Sequence, residues 1–135
     1  HVLIIDDEST LRVALRRFFS RIGWRVTEAS DGKEALALIL ESVRSRQHGG
    51  TYYDMVLSDV RMPGLNGMQL HARLSVERPD IVPRIVFSTG DVAGPEMAAF
   101  VSKAHSLIVH KPFQLGELQE IAEKLRGTNE REITP

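Results

Sequence analysis

Four short apolar runs in this sequence end on residues that can do chemistry. Val2-Leu3-Ile4-Ile5 runs into Asp6-Asp7, Met55-Val56-Leu57 into Ser58-Asp59, Ile85-Val86-Phe87 into Ser88-Thr89, and Leu107-Ile108-Val109 into His110-Lys111. Three carboxylates, a hydroxyl and an ammonium thus share one kind of position. If they converge, the carboxylates repel: at about 4 Å each pair costs ~4 kcal/mol at an effective dielectric of about 20. Either one of them holds a proton or a cation sits among them. Oxygen-only ligands favour a hard ion, Mg²⁺ above Zn²⁺. Thr89 and Lys111 would then form the opposite wall, suited to a tetrahedral oxyanion. A carboxylate-held metal beside a lysine and a hydroxyl is the equipment of phosphoryl transfer.

Convergence requires a fold that gathers strand ends, and the intervening segments supply one. Leu11, Ala14, Leu15, Phe18, Phe19 and Ile22 follow helical spacing, with Ser9 placed to cap and Gly23 to stop. Trp24–Ala29 alternates as a less buried, edge-like strand. Asp31 and Glu34 start a helix carrying Ala35, Leu36, Ile39, Leu40 and Val43, and Ser45–Thr51 with Gly49-Gly50 forms a loop. Pro63-Gly64-Leu65-Asn66-Gly67 leads into a short helix with Met68, Leu70 and Leu74, and a weaker helical stretch spans Pro95–Ser102. Leu115, Leu118, Ile121, Ala122 and Leu125 define a last amphipathic helix that Gly127 should end, leaving Thr128–Pro135 polar and frayed. A βα unit repeated five times implies an α/β fold: a parallel sheet covered on both faces, reached by right-handed crossovers. In such sheets ligands bind outside the carboxyl ends of the strands, where the strand order reverses.

Composition narrows the remaining choices. The 135 residues suit one domain, and 42% hydrophobic content supports a core without staples. No cysteine is present, so disulfides, thiolate metal sites and cysteine nucleophiles are excluded. Seventeen Lys and Arg against eighteen Asp and Glu call for neither nucleic acid nor an anionic membrane. The longest apolar run, Ala35–Leu40, is far short of a membrane span. Val2–Ile5 is too short for a signal peptide. The reading is a soluble domain of a reducing compartment, and its abrupt start at His1 reads as a piece of a longer polypeptide.

The strand-end residues resemble the receiver domain of two-component signalling, the response-regulator receiver. The family carries an acidic pair after its first strand, as in Ile4-Ile5-Asp6-Asp7-Glu8. It carries a phospho-accepting aspartate in a stretch like Leu57-Ser58-Asp59-Val60-Arg61-Met62-Pro63-Gly64-Leu65-Asn66-Gly67. A Thr or Ser before a small residue follows its fourth strand, here Thr89-Gly90, and a Lys-Pro-Phe ends its fifth, here Lys111-Pro112-Phe113. Four motifs in register with five strands make chance remote, and the resemblance covers roughly residues 2–126.

The resemblance implies a flavodoxin-like (βα)5 three-layer sandwich with strand order 2-1-3-4-5, as a receiver over residues 1–126 and a polar tail over 127–135. It implies that Asp59 takes a phosphoryl group from a phosphohistidine of a sensor histidine kinase or a histidine phosphotransfer domain. Asp7 and Asp59 would ligate Mg²⁺ directly, Asp6 mainly through water, and the Arg61 carbonyl would complete the protein ligands. Thr89 and Lys111 would bind the phosphoryl oxygens, across a cis Lys111–Pro112 bond. The implied product is a cytoplasmic switch rather than a metabolic enzyme, catalysing its own phosphorylation and dephosphorylation, with a homodimer as an added option. Neither nucleic acid nor membrane is implied as a partner of this domain.

Two departures from the family pattern are visible. The aromatic often found three residues before the lysine is Ile108 here, which questions the usual Thr–aromatic coupling. The span from Asp31 to Asp59 is long, so the second helix or its loop (Ser42–Tyr52) should be extended. With the Leu107–Phe113 ending and no downstream effector, the chain reads as a receiver of a hybrid histidine kinase. Side chains at Arg61 and Asp91 flank the approach of a hydrolytic water in the family, and their opposite charges predict a pair.

Competing readings fit less well. Asp6-Asp7 alone could cap a helix, Thr89-Gly90 alone is an ordinary turn, and Lys111 could be solvated, although a lysine ending a buried strand needs an anion. A dehalogenase-like phosphatase needs Asp-x-Asp on the first strand and a cap domain. A flavodoxin-like cofactor binder needs a phosphate loop where Asp6-Asp7-Glu8 would repel it. A receiver used only for contacts would have lost Asp7, Asp59 or Lys111. Arg12, Arg16, Arg17, Arg21 and Arg25 form a basic stretch, read as a solvated face or, more sharply, as a dock for an acidic partner. His1, His48, His71, His105 and His110 show no metal spacing and default to solvent.

Overall fold

A computed structural model describes residues 1–90, 94–104 and 106–133, with side chains through residue 127. Within them run β1 (Val2–Ile5), α1 (Ser9–Arg21), β2 (Val26–Ala29), α2 (Gly32–Glu41), β3 (Met55–Asp59), α3 (Gly67–Glu77), β4 (Ile85–Thr89), α4 (Pro95–Lys103), β5 (Leu107–His110) and α5 (Leu115–Ile133). Single 3-10 turns lie at Arg46–His48 and Val82–Arg84. The strands pair in parallel in the order β2-β1-β3-β4-β5, the doubly wound arrangement expected.

Alternation along the strands builds two cores. Successive strand side chains point to opposite faces. Leu3, Ile5, Val56, Ile85 and Phe87 therefore meet Ala35 and Ile39 of α2, Leu70 and Leu74 of α3 and Met97 of α4. Val2, Ile4, Met55, Leu57, Val86 and Val109 meet Leu15 and Phe19 of α1 and Leu118 and Ala122 of α5 on the other face. Covering both faces is why the strands read as unbroken apolar runs. Each such side chain contributes about 1.5–3 kcal/mol when fully buried.

Local signals set several boundaries. The Asp31 side chain accepts the Glu34 N–H at 2.8 Å and caps α2, as its sequence predicts. Asn66 and Gln69 form a reciprocal capping box at α3. Gly23, at φ +93°, turns the chain out of α1 where a side chain would be strained.

Four expectations change. Ser9 does not cap α1: it is the first residue inside the helix, and Glu8 occupies the cap position without a side-chain hydrogen bond. Trp24 precedes β2 rather than opening it, being buried with its ring 5.9 Å from that of Phe19. Val43 lies outside α2, which stops at Glu41 with Ser42 Oγ donating to the Ile39 carbonyl. Gly127 does not end α5: the helix crosses the expected limit at 126 and continues to Ile133. A helical glycine costs only about 1 kcal/mol, and strong helix formers such as Glu123, Lys124, Leu125 and Arg126 precede it.

The long α2–β3 connection is as extended as predicted, and a buried arginine anchors it. Arg78, after α3, donates Nη1 to the carbonyls of Ile39 and Ser42 and pairs with Asp80 at 2.9 Å. Carbonyls at a helix C-terminus lack intrahelical donors. The guanidinium at the end of α3 supplies one to Ser42 and adds to the Ser42 donors at Ile39.

Candidate phosphoryl-transfer site

β1 is followed by a crossover to β2 on one side, while β3 lies on its other side, so the chain diverges at their carboxyl ends. That divergence opens a cleft, and Asp6, Asp7 and Asp59 meet in it. One carboxylate oxygen from each lies within 4.8 Å of the other two. Asp6 is buried, Asp7 exposed and Asp59 intermediate. Asp6 Oδ1 accepts the Glu8 N–H at 2.8 Å. From β5, Lys111 Nζ reaches Asp59 Oδ2 at 3.3 Å and stands 3.7 Å from Asp6 Oδ2. Thr89 is buried at the end of β4, and its carbonyl accepts the Lys111 N–H at 2.8 Å. The Lys111–Pro112 bond is cis. Residues far apart in sequence are thus gathered at the predicted end of the sheet.

The electrostatics follow from crowding. Burial pushes the Asp59 carboxyl above its usual range, the Lys111 ammonium pulls it back, and the Asp6 charge pushes it up again. A single ammonium faces three carboxylates. Donors of this kind, all oxygen and partly buried, fit a hard divalent cation. Asp6, Asp7 and Asp59 are the side chains that could hold one.

Arg61 joins the site through its main chain: its N–H donates to Asp59 Oδ1 at 3.3 Å. Its predicted partner Asp91 lies outside the described residues. Ile108 is half-buried against the core on the α3 and α4 side.

Sequence reasoning missed three supporting residues. Arg12 Nη1 donates to the Asp6 carbonyl at 2.6 Å while its Nε pairs with Glu28 at 3.3 Å, so α1 and β2 together fix the acidic turn. Ser58 Oγ donates to the Asp59 carbonyl at 2.9 Å. Gly67 starts α3 so close to β3 that a Cβ would sit 2.9 Å from the Asp59 carbonyl oxygen and 2.8 Å from Val60 Cα. A signal existed for Gly67 in its motif. None existed for Arg12, whose partners are set by tertiary packing.

The basic stretch divides. Arg12 and Arg16 both pair with Glu28, whereas Arg17, Arg21 and Arg25 are exposed without an ion pair among the described residues. The histidines are not uniformly solvated either. His71 packs against the rings of Phe100 at 5.4 Å and Phe87 at 6.0 Å, and His1 lies 4.9 Å from the ring of Tyr53. His105 lies outside the described residues. No helix among the described residues is long and apolar enough to cross a membrane.

Known proteins point the same way. The chain is 40% identical over 134 residues to the positive alginate biosynthesis regulatory protein of Pseudomonas aeruginosa, covering 96% of this chain and 48% of that protein. The chain spans about half or less of the length of the first curated relatives it matches. The receiver domain of the hybrid histidine kinase CckA matches with a TM-score of 0.65 and 28% identity, over 92% of this chain and 96% of that one. The receiver domain of a Pseudomonas aeruginosa sensor histidine kinase, solved with magnesium in its active site cleft, matches its fold with a TM-score of 0.76 at 23% identity, over 93% and 96% of the two chains. Residues 2–123 match the profile of the response regulator receiver domain, and the chain belongs to that family of two-component signalling domains.

Proposed function

We propose that the chain accepts a phosphoryl group on Asp59 from a phosphohistidine in a Mg²⁺-dependent step, and thereby changes the surface it offers to a partner or attached domain. The observation that carries this reading is the Lys111 ammonium 3.3 Å from Asp59 Oδ2 inside a cluster of three carboxylates. An Asp59 carboxylate oxygen attacks phosphorus, the phosphorus–nitrogen bond of the donor breaks, and its electron pair returns to the imidazole. Lys111 and Thr89 neutralise and hold the transferred oxygens. Asp7, Asp59 and the Arg61 carbonyl would hold magnesium directly and Asp6 mainly through water, and the ion would supply further charge neutralisation. Burial that raises Asp59 also strips water from the nucleophile, and Arg12 keeps the acidic turn in place.

The donor is a sensor histidine kinase or a histidine phosphotransfer domain. An apolar hollow of ≈ 390 Å³ lined by Leu11, Pro112 and Phe113 beside Lys111 supports contact with a protein there. Likeness to the CckA receiver supports a hybrid kinase as the parent polypeptide. Acetyl phosphate with Mg²⁺ tests the chemistry: mass spectrometry and Phos-tag gels should show one phosphoryl adduct on the wild type and none on Asp59→Asn. A stable adduct that survives in Asp59→Ala would defeat the assignment.

A further inference from the structure

A chemically labile dipeptide sits in the turn between β3 and α3. Of the two asparagines in the sequence, only Asn66 precedes a glycine. Asparagine is among the thermolabile residues. Before glycine it is at its most reactive, because an unhindered backbone nitrogen can attack the side-chain carbonyl and close a five-membered imide. Packing nevertheless demands glycine at 67. An added Cβ would stand 2.8 Å from Val60 Cα, 2.9 Å from the Asp59 carbonyl oxygen and 3.2 Å from Phe87 Cε1. The same packing restrains both reacting groups. Gly67 is buried, and its N–H donates to the Val60 carbonyl at 2.8 Å. The Asn66 side-chain oxygen accepts the Gln69 N–H at 2.9 Å, while the Asn66 N–H donates to Gln69 Oε1 at 2.9 Å. The backbone at Asn66 is held extended, at φ −83° and ψ 177°.

We propose that Asn66 is a site of spontaneous deamidation, that opening of the β3–α3 turn sets its rate, and that its isoaspartate product dismantles that turn. The Gly67 nitrogen gives its proton to hydroxide, bonds to Asn66 Cγ and expels ammonia. One water then opens the imide to aspartate or isoaspartate. The closed turn blocks the first step. The Gly67 proton is engaged by Val60, and ring closure must swing the Asn66–Gly67 peptide away from its extended ψ, lifting Gly67 off β3. Local openings of this kind cost less than global unfolding, so attack begins where the capping box breaks. The two products then diverge. Aspartate at 66 keeps the cap, because a carboxylate accepts the Gln69 N–H and suits a helix N-terminus. Isoaspartate routes the main chain through the former side-chain carbon. That adds a methylene just before Gly67, where a Cβ already finds no room. The damage falls on the segment that follows Asp59.

Neither the site nor its test depends on phosphoryl transfer. The full chain is aged in mildly alkaline buffer, folded and in guanidinium chloride. Mass spectrometry of its peptides follows the change from amide to acid, and isoaspartyl methyltransferase labelling scores isoaspartate. Asn66 should deamidate at least about tenfold more slowly in the folded chain, the factor given by an opening cost of about 1.4 kcal/mol. Gln69 is exposed, so truncating it spares the core. Gln69→Ala should speed the folded chain about fivefold, the scale of one helix-cap bond, and leave the unfolded rate unchanged. Gln69→Glu should stay slow, since glutamate also completes the box. Asn66→Asp should melt with the wild type, whereas aged chain enriched in isoaspartate should melt lower. Equal rates in folded and unfolded chains, no acceleration in Gln69→Ala, or an unchanged melting temperature for the isoaspartate form would each overturn the proposal.

Discussion

The two carboxylates after β1 are neighbours in sequence but stand in different environments. Asp6 is buried, occupied by the Glu8 N–H and close to Lys111, while Asp7 is exposed. A directly bound cation exchanges water for ligand oxygens more easily at Asp7. Calorimetric Mg²⁺ titration should therefore show a larger loss of affinity in Asp7→Ala than in Asp6→Ala, and equal losses would mean the ligand assignment is wrong. Arg61 leads to a second expectation. Its amide bonds Asp59, which puts its side chain at the edge of the cleft. If it pairs with Asp91, it screens the water that would hydrolyse phospho-Asp59. An exposed pair adds only ~0–1 kcal/mol to stability, so the effect should be kinetic. Arg61→Ala should shorten the phospho-Asp59 half-life severalfold, measured by adduct decay after removing acetyl phosphate. An unchanged or longer half-life would defeat the pairing.

At the scale of elements, Arg78 ties α2 to the segment after α3. Its guanidinium serves two carbonyls at the end of α2 and the Asp80 carboxylate at once. Removing it takes the guanidinium from the buried Ser42 carbonyl and from Asp80, and a buried acceptor left unsatisfied costs about 1–3 kcal/mol. Arg78→Ala should show that loss in urea unfolding, whereas a change under 1 kcal/mol would place the anchor elsewhere. Asp80 gives the contact a pH signature. Burial alone would raise its carboxyl, but the hydrogen bonds and charge of Arg78 outweigh burial and hold it below its usual range. A folded-state value below the unfolded one adds stability that is complete above the unfolded pKa of about 3.9. That contribution fades as pH falls through the folded value. The stability gap between wild type and Asp80→Asn should thus be constant near neutrality and close in acid. A gap that widened in acid would contradict the assigned direction.

Taken whole, the molecule separates its charge clusters: Asp6, Asp7 and Asp59 meet at one end of the sheet, and Arg25, Arg46 and Arg126 lie with Asp54 at the other. The near-zero net charge of the sequence conceals this. The same view separates the part of α5 that holds the fold from the part beyond it. Leu118, Ala122 and Leu125 pack on the β-sheet, and the Leu125 carbonyl receives Arg84. All of these precede residue 127. We therefore place the domain limit near 126 even though the helix continues. Ending the chain after Arg126 should lower Tm by no more than ~4 °C, the equivalent of about 1 kcal/mol in a domain of this size. Acetyl phosphate labelling should persist. Loss of cooperative unfolding would assign the last residues to the domain.

The sequence by itself determined the strands, their order of appearance and the residues at their ends. Those properties depend on short apolar runs and on side chains within a few positions of them. The caps Asp31 and Asn66 were local in the same way, and Asn66 needed only Gln69 three residues on. Tertiary structure decided what no spacing encodes. It brought Arg12 to the Asp6 carbonyl, sent Arg78 back across more than thirty residues to α2, and withdrew Trp24 from β2 into the core. It also carried α5 through Gly127 and assembled arginines from four separate segments around Asp54. Arg78 and Arg84 meet acceptors thirty or more residues away, and the energy of those contacts exists only after the sheet has brought them together.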